Sequence, residues 1–81
     1  MDKNEILEKA KEYGLPYEVE EDNGTEFIWL YEKGSQLGVG PYLRLHDIGG
    51  VWYAMCFGIR ARCGLSNDQN IMNGIKELAA N

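Results

Sequence analysis

Eighty-one residues with 44% apolar content, nine aromatic side chains and a net charge of −5 describe one small globular domain over residues 1–81, too apolar for a disordered chain and too short for a second core. Residues 1–33 hold ten Asp/Glu against four Lys, and residues 34–81 hold three acids against four bases. Phosphate affinity comes from clustered Lys and Arg, so this balance argues against a generic nucleic-acid binder.

The N-terminus runs directly into a charged amphipathic pattern, and no apolar run approaches the ~18 residues of a membrane span. A soluble, cytoplasmic protein without a signal peptide is therefore expected. On the same compartment logic, Cys56 and Cys63 are expected as free thiols. With His46 as the one histidine there is no zinc-type ligand set, and neither a metal nor another cofactor is expected.

Asp2 followed by Glu5 has the form of a capping box and opens a helix over about 3–13. Ile6, Leu7, Ala10 and Tyr13 recur on one face, and Gly14 with Pro16 supplies the stop. Two extended runs come next, 17–22 and 25–31, joined by Asn23-Gly24. That dipeptide signals a hairpin, because a type I′ turn needs positive φ at both central residues. A two-residue loop sets Val19 opposite Ile28 and Tyr17 opposite Leu30, which makes their side the core. Phe27, Trp29 and Tyr31 then share the other side with Glu18 and Glu20. Each large ring seeks cover for roughly 150–250 Å². Either the loop after Tyr31 or a terminal segment covers the stripe, or a partner does.

Residues 32–40 read as a Gly-rich loop. It leads into an alternating strand at Tyr42 and not into a helix, so it is no phosphate cradle. Asp47-Ile48-Gly49-Gly50 turns that strand into the charge-free run 51–59, which reads as the central strand of the sheet. A three-residue loop is the preferred register: it sets Leu43 and Leu45 with the bulky Tyr53, Met55 and Phe57 and leaves Arg44, His46 and Trp52 beside small residues. Ser66 with Gln69 forms a second capping box, and Ile71, Met72, Ile75, Leu78 and Ala79 line a helix over about 67–79. Gly74 inside it either weakens the helix or marks a close contact. The order helix, hairpin, hairpin, helix implies an α+β domain with a four-stranded antiparallel sheet and both helices on one face.

Catalytic constellations are sparse. His46 and Asp47 are neighbours on a strand and point to opposite faces, so they make a poor acid–base pair. Cys63, beside Arg62 and near a helix start, has no partner in the sequence that would make it a nucleophile. Arg44, Arg60 and Arg62 form a secondary basic patch too small for RNA, and most aromatics are assigned to the core.

The leading expectation is a non-enzymatic protein-binding module. Its acidic, aromatic first hairpin, built of Glu18, Glu20, Glu21, Asp22, Glu26, Phe27, Trp29 and Tyr31, docks on a basic partner. An inhibitor of phage or mobile-element type that occupies the channel of a nucleic-acid-binding defence enzyme is its concrete form. A structural or adaptor homodimer joined through the exposed sheet face is the second reading. A small-ligand binder or thiol-dependent enzyme using Cys63, His46 and the arginines is the third.

Overall fold

Asp2 starts the fold as the sequence implies. The Glu5 N–H donates to Asp2 Oδ1 at 2.9 Å and the Asp2 N–H to Glu5 Oε1 at 3.4 Å, closing a reciprocal box at the head of α1, Lys3–Glu12. Such a cap contributes about 0.5–2 kcal/mol by satisfying N–H groups that a helix leaves open. Tyr13 caps the other end, and Gly14 turns the chain away with φ 72°. These features belong to a computed structural model that describes residues 1–61 and 68–80. The second helix, α2, spans Asp68–Ala79; the Ser66 half of its expected capping box lies outside the described residues.

Between the helices run four strands, β1 (Tyr17–Asp22), β2 (Thr25–Tyr31), β3 (Tyr42–Ile48) and β4 (Val51–Phe57), paired antiparallel in the order β1-β2-β3-β4. The chain is thus a small α+β domain. At the first turn Asn23 and Gly24 adopt φ 51° and 81°, and the register pairs Tyr17 with Leu30, Val19 with Ile28 and Asp22 with Thr25, as a two-residue loop demands.

The second hairpin departs from expectation in two respects. Gly49 and Gly50 form a two-residue turn at φ 60° and 85°, so Ile48 pairs with Val51, Leu45 with Ala54 and Leu43 with Cys56. Leu43 and Leu45 therefore share a face with Trp52, Ala54 and Cys56, whereas Arg44 and His46 go with Tyr53, Met55 and Phe57. The strand expected at the centre of the sheet is also an edge. Successive hairpins add strands one by one, and among the described residues no fifth strand flanks β4.

Packing explains why the small-residue side of β4 faces inward. Both helices lie on the face of Ile28, Leu30, Leu43, Leu45, Trp52 and Ala54, where Ile6 and Ala10 of α1 meet Ile71, Ile75 and Leu78 of α2. Gly74 of α2 approaches so closely that a Cβ there would lie 2.9 and 3.0 Å from the two Leu43 methyls. The glycine marks a close contact, and bulkier residues along β4 would hold the helices off. Eight side chains of this core, from Ile6 to Leu78, are almost wholly withdrawn from water. Each contributes about 1.5–3 kcal/mol of transfer free energy.

Cys56 points to this helix side and is disulfide-bonded, contrary to the expected free thiol. The expectation rested on the compartment and not on the geometry. Just after β4 the Arg60 N–H donates to Glu77 Oε2 of α2, which holds the chain on the side of the sheet that Cys56 faces. The other cysteine, Cys63, lies outside the described residues.

Candidate functional site

Parity in the three strand registers decides what the face opposite the helices carries. β1 contributes Glu18, Glu20 and Asp22; β2 contributes Phe27, Trp29 and Tyr31; β3 contributes Tyr42, Arg44, His46 and Ile48; β4 contributes Val51, Tyr53, Met55 and Phe57. Six of the nine aromatic residues in the chain stand on this side, which corrects the expectation that the core claims most of them. Among the described residues no helix covers them, since both helices pack on the other face.

The rings cover one another in part. Tyr42 stacks on Phe57 with centroids 4.6 Å apart, and it meets Trp29 at 5.5 Å and Tyr31 at 6.0 Å. His46 lies between Phe27 at 5.9 Å and Tyr53 at 6.0 Å. Such pairs contribute about 0.5–1.5 kcal/mol each beyond area burial, so the sheet face is stiffened by its own side chains. Phe27, Trp29, Tyr42, Tyr53 and Phe57 stay half-buried, while Ile48, Val51 and Met55 are exposed, Ile48 by 57%.

Tyr31 differs from its two companions on β2. It is 5% exposed, its hydroxyl donates to Glu18 Oε1 at 3.3 Å, and the Gly38 backbone of the β2–β3 loop lies within hydrogen-bonding reach. That loop, one of the covers expected from the sequence, closes one end of the stripe and leaves Phe27 and Trp29 open. Burial, followed by the Glu18 carboxylate and its hydrogen bond, holds the Tyr31 phenol above the ordinary tyrosine value.

Arg44 occupies the middle of the face, directly opposite Trp29 on one side and Met55 on the other. Its guanidinium carbon stands 5.7 Å from the Trp29 centroid and 5.8 Å from that of Phe57, and Nη2 donates to Met55 Sδ at 3.1 Å. A thioether is a weak acceptor, and among the described residues Arg44 forms no ion pair. Nε of Arg44, Nε1 of Trp29 and Nδ1 of His46 are withdrawn from water and bond to nothing among the described residues. Three polar nitrogens on one face thus have no partner among the described residues, and a buried group left unsatisfied costs about 1–3 kcal/mol.

The residues singled out in the sequence divide accordingly. Glu18, Glu20, Asp22, Phe27, Trp29 and Tyr31 share the open face. Glu21 and Glu26 pair with each other on the helix side, where Glu26 accepts from Lys3 Nζ, so these two cannot border the rings. Of the secondary basic patch, Arg44 is central on the open face, the Arg60 backbone is tied to Glu77 of α2, and Arg62 lies outside the described residues. The sequence reading missed the contributions of Tyr42, Tyr53, Met55 and Phe57. Treating Gly49-Gly50 as a turn of the Asn-Gly kind would have found them.

Among the described residues, no group of three His, Cys, Asp or Glu side chains could hold a metal ion, and no helix is long and apolar enough to cross a membrane. Compared with known protein families, curated proteins and solved structures, the chain matches none.

Proposed function

We propose that the chain is a non-enzymatic protein-binding module that docks through its open sheet face. The observation that carries this reading is the ring-lined surface of Phe27, Trp29, Tyr42, Tyr53, Met55 and Phe57, which no helix covers among the described residues. Aromatic residues, Met and Arg are the types enriched in the buried centre of protein interfaces. Preformed rings also lose little conformational freedom on binding.

Glu18, Glu20 and Asp22 border the rings, and the chain carries a net charge of −5. Both speed the encounter with a partner whose surface is basic around an apolar patch. An inhibitor that occupies the basic channel of a nucleic-acid-binding enzyme remains the concrete form we favour. The Cys56 disulfide bears on where the module works. Such bonds persist in oxidising surroundings and are rare in a reducing cytoplasm, so a cytoplasmic role requires the fold to hold with Cys56 reduced.

The test begins with capture on the immobilised chain and identification of the bound protein by mass spectrometry, followed by calorimetry with that protein. Trp29→Ala should keep the circular dichroism of the parent and weaken binding by roughly thirtyfold or more, the loss of a central aromatic anchor. Glu18→Lys should slow association and flatten its salt dependence. Unchanged affinity of a folded Trp29→Ala variant would refute docking through this face.

A further inference from the structure

The open face is polarised across its strands. β1 places Glu18 and Glu20 on it, β2 places Phe27 and Trp29, and β3 places Arg44 and His46. The pairs fall in two rows: Glu20, Phe27 and His46 in one, Glu18, Trp29 and Arg44 in the next. In each row the acid and the base lie one strand away from β2, on opposite sides of it. A two-fold axis running along β2, above the rings, therefore carries Glu18 onto Arg44 and Glu20 onto His46.

We propose that a second copy of this chain covers the open face in the free protein, stacked sheet on sheet, with Glu18 and Glu20 of each copy set over Arg44 and His46 of the other. The proposal rests on the reading of this face as a recognition surface and names its first occupant. Three further observations favour a second copy. Arg44 holds a thioether as its acceptor and has no carboxylate among the described residues. Glu18 and Glu20 are exposed and make no ion pair among the described residues. An isologous contact requires one patch to be complementary to itself, and this patch carries both signs at symmetric positions.

Sheets stack about 10 Å apart with strands within about 30° of alignment, a gap that Trp29, Phe27 and Tyr42 from both copies would fill. Three strands spaced by about 4.8 Å and ~7 residues long give a footprint of roughly 14 by 24 Å. That is about 340 Å² per copy, below the ~800 Å² per partner of a standard specific interface, so the dimer is weak and reversible and a tighter-binding partner can displace it. β4 lies outside the footprint, which leaves Met55 and Val51 as a place where a partner can first make contact.

Light scattering and sedimentation equilibrium on the purified chain test the proposal. The parent protein should show a concentration-dependent dimer that weakens with added salt. Arg44→Glu and Glu18→Arg should each raise the dissociation constant by roughly thirtyfold or more, because each sets like charges against one another twice. Mixing the two variants should restore association. In the mixed pair the unchanged Glu18 of one chain lies over the unchanged Arg44 of the other, and the two substituted side chains, again of opposite sign, face one another at the second contact. That recovery also shows that neither variant has simply unfolded. A parent protein that stays monomeric, a dimer that survives both reversals, or a mixture that remains monomeric would each overturn self-pairing. A monomeric parent leaves docking on another protein to be judged by the Trp29→Ala calorimetry, so the two readings fail separately.

Discussion

Replacing Gly74 with alanine sets two effects of similar size against each other, and the structure decides the sign. Alanine in a helix interior is favoured over glycine by about 1 kcal/mol. Here the added Cβ would meet Leu43 Cδ1 at 2.9 Å and Cδ2 at 3.0 Å, closer than carbon atoms pack. Leu43 has no exposed surface and is enclosed by the cluster of Ile71, Ile75 and Leu78, so its methyls can retreat only by pushing on neighbours. Overpacking of this kind costs about 1–3 kcal/mol, which outweighs the propensity gain and leaves Gly74→Ala destabilising by roughly 1 kcal/mol. Urea unfolding followed by Trp fluorescence measures it, with a fixed m-value as the check that the folded state keeps its compactness. A double-mutant cycle locates the cost: in a Leu43→Ala background the same alanine should be neutral or stabilising by up to about 1 kcal/mol. A stabilising Gly74→Ala in the parent protein, or a cost that persists when Leu43 is shortened, would contradict the close-approach account.

Three local features give further expected outcomes. The Tyr31 phenol has a raised folded value, so its contribution to stability is complete below the ordinary tyrosine range and is lost as pH rises through the folded value; Tyr31→Phe should flatten the alkaline limb of a stability profile and remove a late-titrating component from absorbance at the phenolate band. Gly49 adopts φ 60°, where a side chain is strained whatever the space, yet Asn23 takes φ 51° at the matching position of the first turn; Gly49→Asn should therefore leave the urea midpoint nearly unchanged, whereas Gly49→Val should lower stability by about 1–2 kcal/mol. Reductant should lower the thermal midpoint, since breaking the Cys56 disulfide frees the unfolded chain at a cost of about 2–4 kcal/mol, and Cys56→Ser should abolish that sensitivity.

Features governed by chemistry within a few residues could be read from the sequence. Asp2 with Glu5 and Asn23 with Gly24 specify one cap and one turn, and the structure has both. The parity of the first hairpin comes with its turn, and with it the outward stripe of Phe27 and Trp29. The second hairpin resisted because β4 is apolar on both faces: Trp52, Ala54 and Cys56 alternate with Tyr53, Met55 and Phe57. A hydrophobic pattern sets register where one face of each strand is polar, and β4 offered no such face to match against the alternation of β3. Choosing the bulkier side as the core then led the wrong way. The inner surface had to be shallow enough for Gly74 of α2 to touch Leu43, a constraint held by a helix far along the chain from β3. Half of the open face was hidden by that single choice.

The two edges of the sheet differ in charge, and that difference bounds how copies of the chain can add to it strand by strand. Four of the six residues of β1 are acidic, whereas β4 carries no charge in its seven. An uncharged edge invites another strand, and a charged one repels it. A copy that pairs along β4 presents only acidic outer edges, so sheet growth stops at two chains, whatever happens on the faces. Neutralising β1 should remove that stop. Glu18→Gln, Glu20→Gln, Glu21→Gln and Asp22→Asn together leave Asn23-Gly24 and the apolar pairs of the hairpin in place, so the monomer fold should persist by circular dichroism. Turbidity and thioflavin fluorescence should then rise with concentration in the neutralised variant and stay flat in the parent. Equal behaviour of the two proteins would mean that β1 acidity does not guard the edge, and its remaining role would be to steer the partner.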